Sequence, residues 1–288
     1  VATFTTHLIV SYAASLARPE ERGRVVGAVM SGLLIGILLA RTFSGVTSTY
    51  LGWRTVYVVA ATLQLLLVFV LRGLLPADAP RAVIRYSRLL GSMWELWRTV
   101  PLLRESCIYG STTFACFGAF WITLTFHLEA PPFQYSSGII GLFGVLGVAG
   151  AVAASLAGRF SDRKGPRFAI GLGIVTLLFS FVVMGLWGGQ VAALIIGVLL
   201  LDSGIQAVHI SNQTRIYSMM PEARSRLNAV YVVTYFAGGA IGSAAGTWIY
   251  TRFGWSGVCM LGASFCVVGL AALAVKRGEV SARYSRDV

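Results

Sequence analysis

PEERGRVVGAV occupies residues 19–29, and PEARSRLNAV occupies residues 221–230. The pairing continues without a gap, because LGWR at 51–54 stands opposite FGWS at 253–256 at the same offset of 202 residues. Residues 19–54 and 221–256 share eight identities, among them Pro19/Pro221, Arg22/Arg224, Arg24/Arg226, Gly36/Gly238 and the pairs Gly52-Trp53/Gly254-Trp255. These fall on turn and packing residues rather than on the abundant Leu and Val. The chain therefore carries two copies of one unit.

What the copies are made of follows from composition. Of 288 residues, 56% are hydrophobic and 12% are charged, against roughly 25% charged in soluble domains. Mean hydropathy is +0.76. Such a chain has too little polar surface to cover a water-soluble core, and far too much apolar content for disorder. It reads as an all-α polytopic membrane protein. A spanning helix needs about 20 mostly apolar residues, and nine stretches qualify: 1–17, 25–49, 53–75, 104–128, 137–158, 167–187, 190–212, 226–250 and 255–275. Gly, Ala and Ser recur inside them, as close helix packing in lipid requires. Six spans separate the two copies, an even number, so both copies point the same way.

The net charge of +12 does not suggest nucleic acid, because the basic residues form short clusters between apolar runs and no continuous basic face is readable. With residues 18–24 on the cytoplasmic side, alternation puts 20 of the 23 Lys and Arg there and leaves Arg54 and Arg252 outside, with Arg41 within a span. That asymmetry sets the orientation, and it places the C-terminus in the cytoplasm. Residues 76–103 interleave Arg81, Arg85, Arg88 and Arg98 with Leu89, Leu90, Met93, Trp94 and Trp97, the pattern of an amphipathic helix on the membrane surface. Cys107, Cys116, Cys259 and Cys266 all sit in apolar segments without metal-ligand spacing and read as small buried side chains.

Residues 158–167 read GRFSDRKGPR, or G-x-x-x-D-R-x-G-x-R, between two spans. Gly158 and Gly165 permit a tight reversal, and Asp162 can cap a helix or pair with an arginine. This run resembles the cytoplasmic-loop signature of the major facilitator superfamily, in its second-half position between helices 8 and 9. Parallel repeats of about 200 residues belong to the same pattern. The resemblance implies a twelve-helix fold of which about nine helices are present here. The 202-residue offset puts the first-half counterpart of Gly158 before Val1, so the chain reads as truncated at its N-terminus. The implied division is 1–75 for the end of the first six-helix bundle (helices 4–6) and 76–103 for the linker. Residues 104–276 then form the second bundle (helices 7–12), and 277–288 a cytoplasmic tail. The stretch SGLLIGILLARTFSG at 31–45 resembles the Gly-rich helix 5 of drug:proton antiporters and sugar exporters; Gly32, Gly36 and Gly45 keep the spacing, but no proline follows.

Charges inside a span are costly and mark pathways or pairs. Asp202 lies near mid-depth of 190–212, and Gln206, His209 and Gln213 follow at i+4, i+7 and i+11, one face of a helix. A carboxylate and an imidazole on that stripe are the candidates for carrying a coupling proton. The plainer alternative is a hydrogen-bonded stripe packed on a neighbour. Arg41 cannot release a proton, so it reads as a substrate contact, as a structural ion pair with Asp202, or as a side chain that snorkels to the outer interface. Thr113, Phe117 and Trp121 on one helix, with Asn228, Tyr231 and Tyr235 on another, are candidates for a cavity wall, because the resemblance implies that helices 7 and 11 line the cavity. His127 and Glu129 lie at an outer helix end, where water would solvate them. Gly238, Gly242 and Gly246 form a GxxxGxxxG packing ridge. At the cytoplasmic face the candidate gate comprises Gly158, Asp162, Arg163, Gly165, Arg167 and Arg215, with Asp162 pairing with Arg215 or seated at the start of the helix near Val25.

The expectation that follows is a secondary active transporter in the bacterial cytoplasmic membrane. It would exchange protons for a small amphipathic molecule by alternating access. Uptake or sugar exchange on the same architecture, and a non-transporting remnant, are the alternatives. No catalytic triad, metal spacing or phosphate loop is readable, so an enzyme is not expected, nor a cofactor beyond a proton or other ion gradient. The expected partners are a small-molecule substrate and the lipid bilayer, with the protein a monomer and no nucleic acid bound.

Overall fold

Helix α1 (Arg22–Leu51) is followed by α2 (Trp53–Leu74), α3 (Tyr86–Thr99) and α4 (Pro101–Glu129). The short α5 (Ser137–Leu142) runs into a 3-10 turn at Phe143–Gly147. It is succeeded by α6 (Pro166–Trp187), α7 (Val191–Met219) and α8 (Arg224–Ala274). This computed structural model describes residues 21–74, 86–147, 165–220 and 223–275, and no strand occurs among them. Trp53–Gly73, Pro101–Glu129, Pro166–Trp187, Val191–Ile216 and Arg226–Ala274 are each long and apolar enough to cross a bilayer. These match the spans expected at 53–75, 104–128 and 167–187 to within a few residues, and a helix that is not among those five covers 25–49. The span at 1–17, the end of that at 137–158 and the tail 277–288 lie outside the described residues.

The 51 residues of α8 would make a straight rod of about 77 Å, more than twice the hydrocarbon core of a bilayer. Gly254 breaks it with φ 61° and ψ −156°. Along its first arm, Gly238, Gly242 and Gly246 meet Ser111, Ala115 and Ala119 of α4 in ascending order. Along the second arm, Trp255, Cys266 and Gly269 meet Phe120, Cys116 and Thr112 in descending order. The arms thus run in opposite directions along α4, and α8 is the two spans expected at 226–250 and 255–275. Gly52, the repeat partner of Gly254, has φ 82° and joins α1 to α2. Only glycine adopts that backbone without strain, so both copies build their reversal from the same residue.

The described residues divide into two compact units. In the first, α1 and α2 are joined by residues 134–147. Gly45 explains that packing: a Cβ there would lie 2.6 Å from Ser137 O and 3.2 Å from Gly141 Cα, so only glycine lets α1 and α5 cross so closely. Thr42 adds a hydrogen bond to Gly141 O at 3.4 Å.

The second unit holds α3, α4, α6, α7 and α8. Its helices α4 and α8 are in contact along the glycine ridge, where any side chain on Gly238 or Gly242 would enter the backbone of Ser111 or Ala115. Two features differ from the sequence reading. The helix expected to end at 212 continues to Met219, so Arg215 is helical and buried rather than in a loop. Helix α3 does not lie wholly on a membrane surface: Met93, Leu96, Trp97 and Val100 pack against a core containing Leu103, Cys107, Ile216, Leu227 and Tyr231.

Candidate functional site

Helix α7 carries the polar stripe foreseen from spacing. Asp202 is buried at 8% exposure, while Gln206, His209 and Gln213 are partly buried. Asp202 stands eleven residues into α7, about 16 Å along its axis and so near the middle of a bilayer. Two glycines hold α7 against α6 here: a Cβ on Gly204 would lie 2.7 Å from Gly173 O.

His209 is the meeting point of the stripe with α8. Its Nδ1 lies 3.3 Å from the Tyr231 hydroxyl, and its ring is 5.0 Å from that of Tyr235. Tyr231 is fully buried, and its ring lies against Gly110 of α4. A Cβ on Gly110 would stand 2.9 Å from Tyr231 Cζ and 3.0 Å from its oxygen, so the missing side chain makes room for the hydroxyl to reach His209. Tyr235 continues into a ladder of rings on α4. It stacks on Phe114 at 4.1 Å, Phe114 stacks on Phe117 at 5.2 Å, and Phe117 lies 6.1 Å from Trp121. Phe117, Trp121, Tyr231 and Tyr235, the candidates for a cavity wall, are thus brought together through Phe114, a ring that the sequence reading did not single out and that connects the two helices. Thr113 is not part of this wall: it is buried, and its hydroxyl donates to Tyr109 O at 2.6 Å. Asn228, chosen for the same wall, is only partly buried; its Oδ1 is enclosed without a hydrogen-bond partner among the described residues.

At the end of the unit where α4 begins, a buried carboxylate gathers three donors. Glu105 is 2% exposed. Arg215 Nη2 donates to its Oε2 at 2.7 Å, Arg167 Nη1 lies 3.2 Å from its Oε1, and the Tyr109 hydroxyl donates to the same Oε1. Arg167 also donates to Leu273 O at 2.6 Å, so one guanidinium joins α4, α6 and the end of α8. Beside this knot Asn212 Nδ2 donates to Ser106 O at 2.8 Å. Buried polar atoms are nearly always paired. Yet Ser106 Oγ and Asn212 Oδ1, on this same pair, are buried without a hydrogen-bond partner among the described residues.

The motif residues are placed unevenly. Gly158, Asp162 and Arg163 lie outside the described residues, as does any contact of Asp162 with Arg215 or with the helix near Val25. Gly165 turns the chain into α6 with φ 88°, and Pro166 follows at the first helical position. Arg167 and Arg215, expected as gate residues, share Glu105, a partner that the sequence reading did not single out. The signal existed: Glu105 is an acid inside the proposed span 104–128, the criterion that picked Asp202. Arg41 is within α1, but its side chain lies outside what is described.

The opposite end of the unit corrects the reading of His127. Its Nε2 is 2.9 Å from Gly188 O, and its ring stacks on Trp255 at 4.2 Å and 8°. Trp255 in turn donates from Nε1 to Met184 O at 3.0 Å. Imidazole and indole close the end of the unit together, while Glu129 is exposed as expected. All four cysteines are buried thiols, and Cys116 and Cys266 bring their sulfurs to 3.8 Å.

The sequence matches the family model described as Major Facilitator Superfamily over residues 1–221 and again over 112–287. It is 44% identical to the uncharacterized transporter YgaY of Escherichia coli O157:H7, over 91% of this chain and 67% of that protein. It is 32% identical to the "Probable transporter SCO4007" of Streptomyces coelicolor, over 96% of this chain and 64% of the relative. The chain therefore spans about two thirds of the length of these relatives. Among solved structures, the nucleoside transporter NupG aligns with a TM-score of 0.62 at 18% identity, covering 93% of this chain and 80% of its own. At that identity the likeness concerns the fold.

Proposed function

Because the chain belongs to the Major Facilitator Superfamily and is an integral membrane protein, we propose that it takes part in proton-coupled export of a small amphipathic molecule. The setting is the cytoplasmic membrane of a bacterium. The observation that carries this reading is the junction of His209, on the same α7 stripe as Asp202 and Gln206, with Tyr231 and Tyr235 on α8. A carboxylate near mid-depth and an imidazole two turns further along the same helix provide groups that exchange protons, which a permanent charge cannot do. The ring ladder Tyr235–Phe114–Phe117–Trp121 supplies an apolar, aromatic surface beside them. Together they suit a molecule with an apolar body and a polar end.

The Glu105 cluster takes the part of a latch in this reading. Two arginines on one carboxylate form an arrangement with more than one way to pair. Exchange of Arg215 or Arg167 from Glu105 to Asp162 would open or close the cytoplasmic end. Arg41 on α1 is a candidate contact for a polar group of the substrate.

The test uses inside-out membrane vesicles energised by respiration, with ethidium as the amphipathic probe and a pH-sensitive dye in the lumen. Vesicles carrying the protein are expected to accumulate ethidium and to lose luminal acidity when it is added. Asp202→Asn and His209→Ala should each abolish the proton response. Ethidium uptake with an unchanged proton response in Asp202→Asn would remove the coupling role of that residue.

A further inference from the structure

The packing of α3 leaves a face that the transport reading does not use. At about 100° per residue, Met93, Leu96, Trp97 and Val100 occupy a sector of about 240° to 340°, measured from Leu90. These four pack against the core of the second unit. Leu90 and Trp94 come next around the helix, at 0° and about 40°, and they are 47% and 59% exposed. Arg98 follows at about 80°, and Glu95 and Thr99 at about 140° to 180°, all exposed. Going round the axis, the surface passes from protein to bare apolar side chains, then to a cation, then to polar groups. Trp94 also stacks on Trp97 at 5.2 Å and 17°, which fixes the exposed ring to the packed one.

That order is the order of environments met by a helix lying at the edge of a bundle, at the level of lipid headgroups. Apolar side chains exposed next to a packed face need acyl chains to cover them, and an indole suits the headgroup boundary. An arginine one turn further on lies where a lipid phosphate would be. Arg98 forms no ion pair among the described residues, whose salt bridges both end on Glu105. The stretch 78–98 carries Arg81, Arg85, Arg88 and Arg98 against Asp78 and Glu95, an excess that complements anionic headgroups.

We infer that the Leu90–Trp94–Arg98 stripe of α3 is a docking surface for an anionic phospholipid, with Leu90 and Trp94 against the acyl chain and Arg98 on the headgroup phosphate. The helix then fastens the linker side of the second unit to one leaflet. Transport by any substrate, or none, leaves this inference intact.

The test is quenching by lipids with brominated chains in proteoliposomes of the full chain. The Trp94 signal is isolated as the difference between the wild type and Trp94→Phe. Brominated phosphatidylglycerol is expected to quench it in preference to brominated phosphatidylcholine by on the order of fivefold, the effect of one arginine at an anionic surface. Arg98→Gln should bring that ratio to about one while quenching by both lipids persists. A nitroxide on Leu90→Cys gives a reading that does not depend on indole, because the four native cysteines are buried. It should be reached by oxygen and shielded from a water-soluble nickel chelate. A nitroxide open to the nickel chelate, or a Trp94 signal untouched by brominated chains, overturns the lipid contact. Equal quenching by the two lipids in the wild type overturns headgroup recognition.

Discussion

Glu105 accepts from Arg215, Arg167 and Tyr109, and these contacts are unequal in weight. The side chains of Glu105 and Arg215 are 3% and 10% exposed, while that of Arg167 is 40% exposed. Removing one partner of a buried pair leaves a charge without compensation and costs about 3–5 kcal/mol, whereas a solvent-exposed pair contributes about 1 kcal/mol or less. Glu105→Ala is therefore expected to lower the thermal midpoint of the purified protein far more than Arg167→Gln does. Equal shifts would show that the cluster is held from α6 rather than from α7. At His209 the decisive residue is the one that has no side chain. Gly110→Ala would press on the Tyr231 ring and move its hydroxyl away from Nδ1, at a cost of about 1–3 kcal/mol. Tyr231→Phe removes only the hydroxyl, for about 1 kcal/mol. Both variants should weaken the proton response in vesicles, with Gly110→Ala the less stable of the two in thermal unfolding.

Helices of this protein meet through what they lack. The α4–α8 contact is built on Gly238, Gly242 and Gly246 against Ser111, Ala115 and Ala119, with Gly118 answering at Gly239. Lipid offers no hydrophobic drive for two apolar helices to associate, so close backbone approach and dispersion must hold them. Gly242→Leu forces the pair apart and is expected to abolish a monodisperse peak in gel filtration. Thr112→Val, partly buried beside the same contact, should leave the peak in place. The α1–α5 crossing uses the same device at Gly45 and Gly141, which gives one glycine of the exporter-like pattern at 31–45 a packing duty. Gly32 and Gly36 of that pattern meet nothing within 4 Å.

Over the whole molecule, the duplication is visible in backbone and hidden in surroundings. Gly52 and Gly254 turn the chain in the same way, yet Trp53 is 60% exposed where Trp255 is 8% exposed. Trp255 has His127, Phe120 and Met184 around it. Alternating access by rocking requires the second unit to keep its interior through the cycle. A membrane-permeant maleimide is accordingly expected to leave Cys116 and Cys266 unlabelled with and without a pH gradient. A cysteine placed at Gln206 should change its labelling rate when the gradient is applied. Labelling of Cys116 under a gradient would mean that the unit opens internally instead of moving as a body.

The sequence alone determined the membrane setting, the bounds of most of the described helices and the glycine at each reversal. Hydropathy and backbone freedom are properties of a residue and its near neighbours, and they survive in a linear reading. It also placed Asp202, His209, Phe117, Trp121 and the tyrosines among the residues worth pairing, because helical spacing lines them up. Tertiary structure decided which groups meet: Arg215 with Glu105 across 110 positions, Cys116 with Cys266 across 150, and His127 with Trp255. It also turned Thr113 inward and carried α7 on to Met219. These outcomes depend on how each helix is rotated and in what register it lies against another a hundred residues away. Apolar side chains surround every helix of a membrane protein, so hydropathy holds no record of that rotation, and only close packing of the glycine-lined faces selects it.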